Sequence, residues 1–403
     1  MVKVAVMGYG TVGSGVVELL SENATRIANS AGKEIQVARI LDVRDFPDDP
    51  LSSIIVHDFE SIENDPEISI VVETIGGVGL AYEFTKRSLL AGKSVVTSNK
   101  ELVAVKGYEL LSIAKEKNVN YLFEASVGGG IPIIRPITQC LAANTIDEIY
   151  GILNGTTNYI LTQMMYNHAS FEDALSQAQE KGYAERRPLA DISGADAGRK
   201  ICILCNLSFG RHIDPDSIYI EGIDKITMDD IKYAEAIGYK IKLLVRAMRT
   251  GENTITTFVS PHLVSMDSMM AGVDGVMNGI VVHGNALGQV MFYGQGAGKR
   301  PTASAVVADI IDSVKHFVDP KSLAWEDSLD GFVTDSKLIK SRWLIRAGGD
   351  LEDIAAQFGN VRFITFQGSP PDEYVFISEA MDVYQVKKKT NRIDLRTMWR
   401  VLD

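Results

Sequence analysis

The stretch KVAVMGYGTVGSGVVELL sets Gly8, Gly10 and Gly13 in the pattern Gly-x-Gly-x-x-Gly, between an apolar run and an amphipathic one. Few arrangements suit such a segment. The first glycine permits a tight turn, the second lets a pyrophosphate approach the backbone, and the third lets the helix pack on the sheet. The start of the helix then favours negative charge. With a strand before it and a helix after it, this pattern points to a dinucleotide site. Thr11 and Val12, in the turn into the helix, join the three glycines as candidate cofactor-binding residues.

Beyond this motif the chain has the rhythm of a doubly wound α/β domain. Apolar runs recur at IQVARILDV, SIVVET, KSVVTSN and VNYLFEAS, with helical patterns such as YEFTKRSLLAG and GYELLSIAKEKN between them. Strands alternating with helices predict a parallel, Rossmann-type sheet over residues 1–134. A chain of 403 residues is too long for one simple core and suits two or three domains. From residue 135 the texture changes. IDEIYGILNGTTNYILTQMM reads as strand, polar turn and helix, and KIKLLVRAMR, NTITTFVSPHLV and NGIVVHGN read as strands. This predicts an α+β substrate-binding and dimerisation domain over 135–295. GQGAGKRPTASAVVADIIDSVKHF predicts a helix that returns to the first domain and completes it over 296–325. Residues 326–403 read as a small α/β unit: strands SRWLIRA, VRFITFQG and EYVFISEA, the helix DLEDIAAQF, and a charged tail.

Charge narrows the partners. The chain has 40 basic and 52 acidic residues, a net −12, which disfavours a nucleic-acid or anionic-membrane surface. It has no run of eighteen apolar residues, so no spanning helix is expected. The N-terminus already reads as a strand, with no cleavable leader. Three cysteines, Cys140, Cys202 and Cys205, cannot all pair within one chain, which fits a reducing, cytoplasmic setting. Cys202 and Cys205 form C-x-x-C inside an apolar helix with no second ligand pair, so buried core thiols are expected.

Two cofactor details come from position. The second strand ends with Asp42, Arg44 and Asp45. An acid there suits the ribose of NAD and an arginine suits the extra phosphate of NADP; Arg44 inclines the reading to NADP. Thr97 and Lys100, in TSNK, lie just past another parallel strand at its C-terminal end, where ligands sit, although a solvated first-turn lysine has the same signature.

GYAERRPLADISGADAGRK (182–200) gathers Glu185, Asp191, Asp196 and Lys200. Ser193 and Asp196 fit a capping box, and Asp196 with Lys200 fits a solvated i,i+4 pair. Against the solvated reading, Lys200 runs straight into the apolar ICILCNL, where burial tunes a lysine toward proton transfer.

Taken together, GILNGTTNYIL, GYAE, DISGADAGRK, EASVGGGIPIIRP and GQGAGKRPTASAVVADI closely resemble homoserine dehydrogenases over residues 1–320. The resemblance implies reversible NADH- or NADPH-dependent reduction of aspartate semialdehyde to homoserine, by a homodimer or higher homo-oligomer formed through the central domain. It implies that Asp196 and Lys200 are the catalytic pair, with Lys100 between nicotinamide and substrate. Glu185, Asp191 and Thr156 match the substrate side, and Gly298 the cofactor side. Glu124, Val127, Gly129 and Ile131 match a site for a monovalent cation, Na⁺, held largely by backbone carbonyls. The sequence departs from the family at Arg186-Arg187-Pro188, where an acid and a proline are usual after GYAE. Longer members end in an ACT regulatory domain; residues 338–403 have a similar element order but lack its Asp-x-Pro-Gly turn. Two other readings are open to such a chain. Aspartate-semialdehyde dehydrogenase needs an activated cysteine, which none of the three resembles. A nucleotide-binding sensor that has lost turnover would draw its support from Arg187.

Overall fold

The computed structural model describes residues 1–321 and 323–402. Its first sheet has six parallel strands: β1 (Val2–Met7), β2 (Ile35–Leu41), β3 (Ile55–Val56), β4 (Ile68–Glu73), β5 (Ser94–Thr97) and β6 (Tyr121–Leu122). Their order is β3-β2-β1-β4-β5-β6. The chain therefore starts in the middle, builds one edge, and crosses back to build the other. The strand order reverses between β1 and β4, and a crevice opens there at the C-terminal ends of the strands. β1 and β4 are apolar almost throughout because helices cover both faces of a parallel sheet.

The sequence-predicted returning helix is Lys299–Lys315, and it packs on this sheet beside the helix Thr11–Glu22. The two helices cross closely at Gly15, where a Cβ would lie 3.0 Å from Lys299 Cγ and 3.1 Å from Ala303 Cβ.

The second sheet is mixed. It comprises β7 (Ile146–Ile152), β8 (Tyr219–Ile220), β9 (Tyr239–Gly251), β10 (Thr254–Ser265), β11 (Met277–Gly284), β12 (Gly288–Gln295), β13 (Trp343–Gly348), β14 (Tyr374–Ile377) and β15 (Asp394–Val401). The order is β12-β11-β7-β9-β10-β15-β13-β14, with β8 also on β10. Helices Gly155–Asn167 and Ala195–Phe209 lie against it and bring their first turns toward the first sheet.

The C-terminal region differs from the sequence reading in two places. VRFITFQG forms no strand; it meets β14 through an isolated Phe363–Phe376 bridge, with Ile364 N–H donating to the Val375 carbonyl at 2.7 Å and the Phe363 ring packed near Tyr374. The charged tail is instead ordered. Asp382 and Gln385 form a capping box on helix Val383–Thr390, and the chain then enters β15. β15 pairs parallel with β10 at His262–Arg400 and Leu263–Val401, so this unit continues the central sheet. Charge disguised β15 because Arg400 is buried, its guanidinium 4.9 Å from the Phe258 ring and 4.6 Å from Trp343. Among the described residues no helix is long and apolar enough to cross a membrane.

Candidate active site

At the crevice, each glycine of the fingerprint has its own steric reason. Gly8 has φ +92°, and a Cβ there would lie 2.8 Å from the Thr74 carbonyl oxygen. A Cβ on Gly13 would lie 1.9 Å from the Gly8 oxygen, so no side chain fits. A Cβ on Gly10 would meet nothing within 4 Å: this glycine borders open space, as a pyrophosphate cradle requires. Gly10 caps the Thr11–Glu22 helix without a side-chain bond, leaving Thr11 and Val12 at an uncapped helix start. These features fit a dinucleotide.

At the end of β2, Arg44 is fixed by Asp42. Its Nε donates to Asp42 Oδ1 at 2.9 Å, and its Nη2 donates to Oδ2 at 3.0 Å. The guanidinium stacks over Phe46 at 5.0 Å. Asp42 also accepts from the backbone N–H groups of Tyr9 and Arg44. The Arg44 hydrogen bond, with these backbone donors, holds the Asp42 carboxyl well below the usual carboxylate range against the cost of burial. Both Asp42 oxygens are thus occupied, whereas Arg44 is more than half exposed. Thr97 is fully buried; its hydroxyl donates to Glu73 at 2.5 Å and accepts from Asn99 N–H at 2.9 Å.

Beyond β5 lies a cavity of ≈ 470 Å³. Lys100, Asn154, Thr156, Lys181, Asp191, Asp196 and Lys200 line it, together with the turn Gln295–Gly298. Asp196 is the hub, with only 4% of its side chain exposed. Its Oδ2 faces Lys200 Nζ at 2.9 Å, and Oδ1 pairs with Lys100 Nζ. Burial opposes its charge, but Lys200 and Lys100 overcome it and lower the Asp196 pKa. Lys100, despite burial, is held charged by Asp196. Lys200 is 10% exposed and also donates to the Leu153 carbonyl at 2.8 Å. An ammonium has three N–H donors. Two are taken here, leaving one for a ligand.

Asp196 caps nothing. The N-cap of Ala195–Phe209 is Gly194, which has φ +86° and makes no side-chain bond, so the Ser193–Asp196 box does not form. Lys100 opens helix Lys100–Lys117 as a first-turn lysine, but its ammonium is paired with Asp196 rather than left to solvent alone.

The sequence reading missed Asn154, which assembles the acids. Asn154 Oδ1 accepts from Thr157 N–H at 2.9 Å, capping helix Gly155–Asn167. Its Nδ2 donates to Asp191 Oδ1 at 2.7 Å and to Asp196 Oδ2 at 2.9 Å. The signal was present as Asn before Gly-Thr-Thr, an N-cap pattern. Burial raises the Asp191 pKa; the Asn154 hydrogen bond opposes this, and Asp196 adds to it. Thr156 donates its hydroxyl to the Tyr183 carbonyl at 2.6 Å.

Glu185 is not brought into the cluster. It is exposed, outside the cavity lining, and its carbonyl is held by Gln179 Nε2 at 3.1 Å. Arg186 and Arg187 are exposed too and join no ion pair among the described residues. Glu124 is buried, and its carboxylate accepts from the N–H groups of Ile133, Ile134 and Arg135 at 2.6, 2.8 and 2.8 Å. Val127, Gly129 and Ile131 are also buried, and among the described residues no hydrogen bond reaches their carbonyls. Main-chain oxygens of this kind are the donor type a hard cation takes.

No cysteine lines the cavity. Cys202 and Cys205 are fully buried, and burial pushes the Cys205 thiol up to about 12. Cys140 is exposed, unlike the other two, at the end of a short helical turn. An activated thiolate needs a lowered pKa, so acyl-enzyme chemistry finds no nucleophile here.

A dinucleotide fold whose strand ends meet a buried lysine–aspartate–lysine cluster defines an NAD(P)-dependent oxidoreductase. Comparison with known proteins makes this specific. The family model "Homoserine dehydrogenase" matches residues 132–311, and "Homoserine dehydrogenase, NAD binding domain" matches 8–124. The homoserine dehydrogenase of Pseudomonas aeruginosa is 45% identical over 323 residues, 80% of this chain and 74% of that one. That of Bacillus subtilis is 38% identical over 319 residues, 78% and 73%. Among solved structures, a homoserine dehydrogenase from Thiobacillus denitrificans superposes with a TM-score of 0.90 at 35% identity, covering 100% of this chain and 98% of that one. A hyperthermophilic archaeal homoserine dehydrogenase in complex with NADPH gives 0.66 at 30% identity, covering 77% and 97%. The chain belongs to the homoserine dehydrogenase family.

Proposed function

We propose that the chain interconverts L-aspartate 4-semialdehyde and L-homoserine, with Lys200 exchanging the proton at the reacting oxygen. The observation that carries this is Asp196, buried between Lys200 and Lys100 at the mouth of the nucleotide crevice. The bound nicotinamide supplies or accepts the hydride at the carbon. In the reducing direction, the free N–H of Lys200 points donor chemistry at the aldehyde oxygen, where negative charge develops. Asp196 orients that ammonium and holds Lys100 beside it. Asp191, fixed by Asn154, offers a carboxylate to the substrate ammonium. The Thr156 hydroxyl proton is taken by the Tyr183 carbonyl, so its oxygen faces the substrate side as an acceptor, at a helix start that carries no acidic residue. Glu185 matches the family pattern, but its exposure leaves the ammonium to Asp191 in this conformation.

On the cofactor side, Arg44 is assigned to the 2′-phosphate of NADP, because Asp42 has no free oxygen for a ribose hydroxyl. Gly298, at the uncapped start of Lys299–Lys315, and the main chain at Thr97 complete that side. The carbonyls of Val127, Gly129 and Ile131, with main-chain Glu124, would hold Na⁺. A homodimer through the central domain, in the cytoplasm, completes the reading; the three free thiols suit a reducing compartment. The test is homoserine oxidation followed by the absorbance of reduced nicotinamide, with NADP⁺ and NAD⁺, and with Na⁺ present or replaced by choline. Silence with both cofactors would overturn the assignment.

A further inference from the structure

Charge accounting in the cavity leaves one cation over. Its lining holds three lysines and two aspartates: Lys100, Lys181, Lys200, Asp191 and Asp196. Lys100 and Lys200 are both committed to Asp196. Lys181 has no carboxylate partner among the described residues. It comes just after the last turn of helix Phe171–Glu180, and its ammonium lies 5.3 Å from the centroid of the Tyr159 ring. Tyr159 in turn packs edge-on against Tyr183 at 5.1 Å. The aromatic pair thus seats a charged nitrogen at the rim without neutralising it. The Tyr159 hydroxyl also favours the charged form of Lys181.

A substrate carrying an ammonium, a carboxylate and a reacting oxygen needs three kinds of partner. The proposed reaction assigns the ammonium to Asp191 and the oxygen to Lys200. The carboxylate has no countercharge in that scheme. Arg186 and Arg187 lie outside the cavity lining, and Arg199 pairs with Glu101 at 3.0 Å. We infer that Lys181 binds the substrate carboxylate and so selects α-amino acids over simple amino alcohols. This rests on the proposed function and deepens it.

The test compares intact wild-type enzyme with Lys181→Ala and Lys181→Arg. Two quantities are read: the KM for L-homoserine, and the competitive inhibition constant of 3-aminopropan-1-ol, which is homoserine without its carboxylate. Loss of a charge-assisted contact should raise the homoserine KM about tenfold in Lys181→Ala. The inhibition constant, kcat and the KM for NADP⁺ should stay within about twofold, because those interactions are separate from a carboxylate contact. Lys181→Arg, which keeps the charge, should recover most of the affinity. An unchanged homoserine KM, or an equal rise for both compounds, would overturn the inference while leaving the proposed reaction standing. Wild-type enzyme inactive on homoserine would overturn both.

Discussion

Replacing Asp196 with Asn removes one negative charge and almost no volume, and the structure sets the expected cost. The carboxylate is nearly buried, 2.9 Å from Lys200 and in contact with Lys100. Two unit charges at that distance attract by about 6 kcal/mol at an effective dielectric of about 20. Desolvation offsets part of this, and deleting one member of a buried pair typically costs about 3–5 kcal/mol. Lys100 is 39% exposed, so water relieves some of its loss. Asn also still accepts from Asn154. We therefore expect a loss of about 2–3 kcal/mol in stability at pH 7, against a few tenths for a residue that merely caps a helix. The pH dependence has a definite sign. Asp196 titrates lower in the folded state than in the unfolded chain, so its contribution is fully present above the unfolded carboxylate pKa of about 3.9. The gap between wild type and variant should be constant from about pH 5 upward and narrow below about pH 4. Turnover should fall about a hundredfold or more at pH 7, since Lys200 loses its orienting partner. NADP⁺ binding should hold. The assays are urea melts across pH, homoserine turnover and cofactor fluorescence. A folded Asp196→Asn variant with near-normal kcat and a stability change of a few tenths would refute the argument.

Three other outcomes are expected. Lys200→Ala should lower kcat about a hundredfold to ten-thousandfold while leaving NADP⁺ affinity intact, as read by steady-state kinetics and fluorescence titration. Arg44→Ala should raise the KM for NADP⁺ more than that for NAD⁺; equal effects would leave Arg44 a loop charge paired with Asp42. A chain cut after residue 325 should lose solubility or cooperativity by size exclusion and thermal melting, because removing β15 uncovers the edge of β10 at His262 and Leu263.

The sequence carried the first sheet because its strands are buried on both faces and its glycines are sterically compelled, so pattern and structure coincide. It carried Lys200 because a charged residue heading an apolar helix must find a partner. It did not carry the way in which that partner is supplied. Asp196 reads as a cap from its spacing to Ser193, yet Gly194 takes the cap position and frees Asp196 for two lysines. Asn154 could be read locally only as a helix start, although its side chain joins a residue 37 positions away and another 42 positions away. Conversely, GYAE suggested Glu185 for the site by likeness, while its side chain is exposed and outside the cavity lining. β15 hid for the same kind of reason. Its sequence is written partly in arginine, and partners far away in the chain, the Phe258 and Trp343 rings and the Ser341 hydroxyl, make Arg400 a core residue. Local periodicity finds elements whose burial is apolar. Where a charge is buried, its partner comes from elsewhere in the chain, and the element is legible only once that partner is in place.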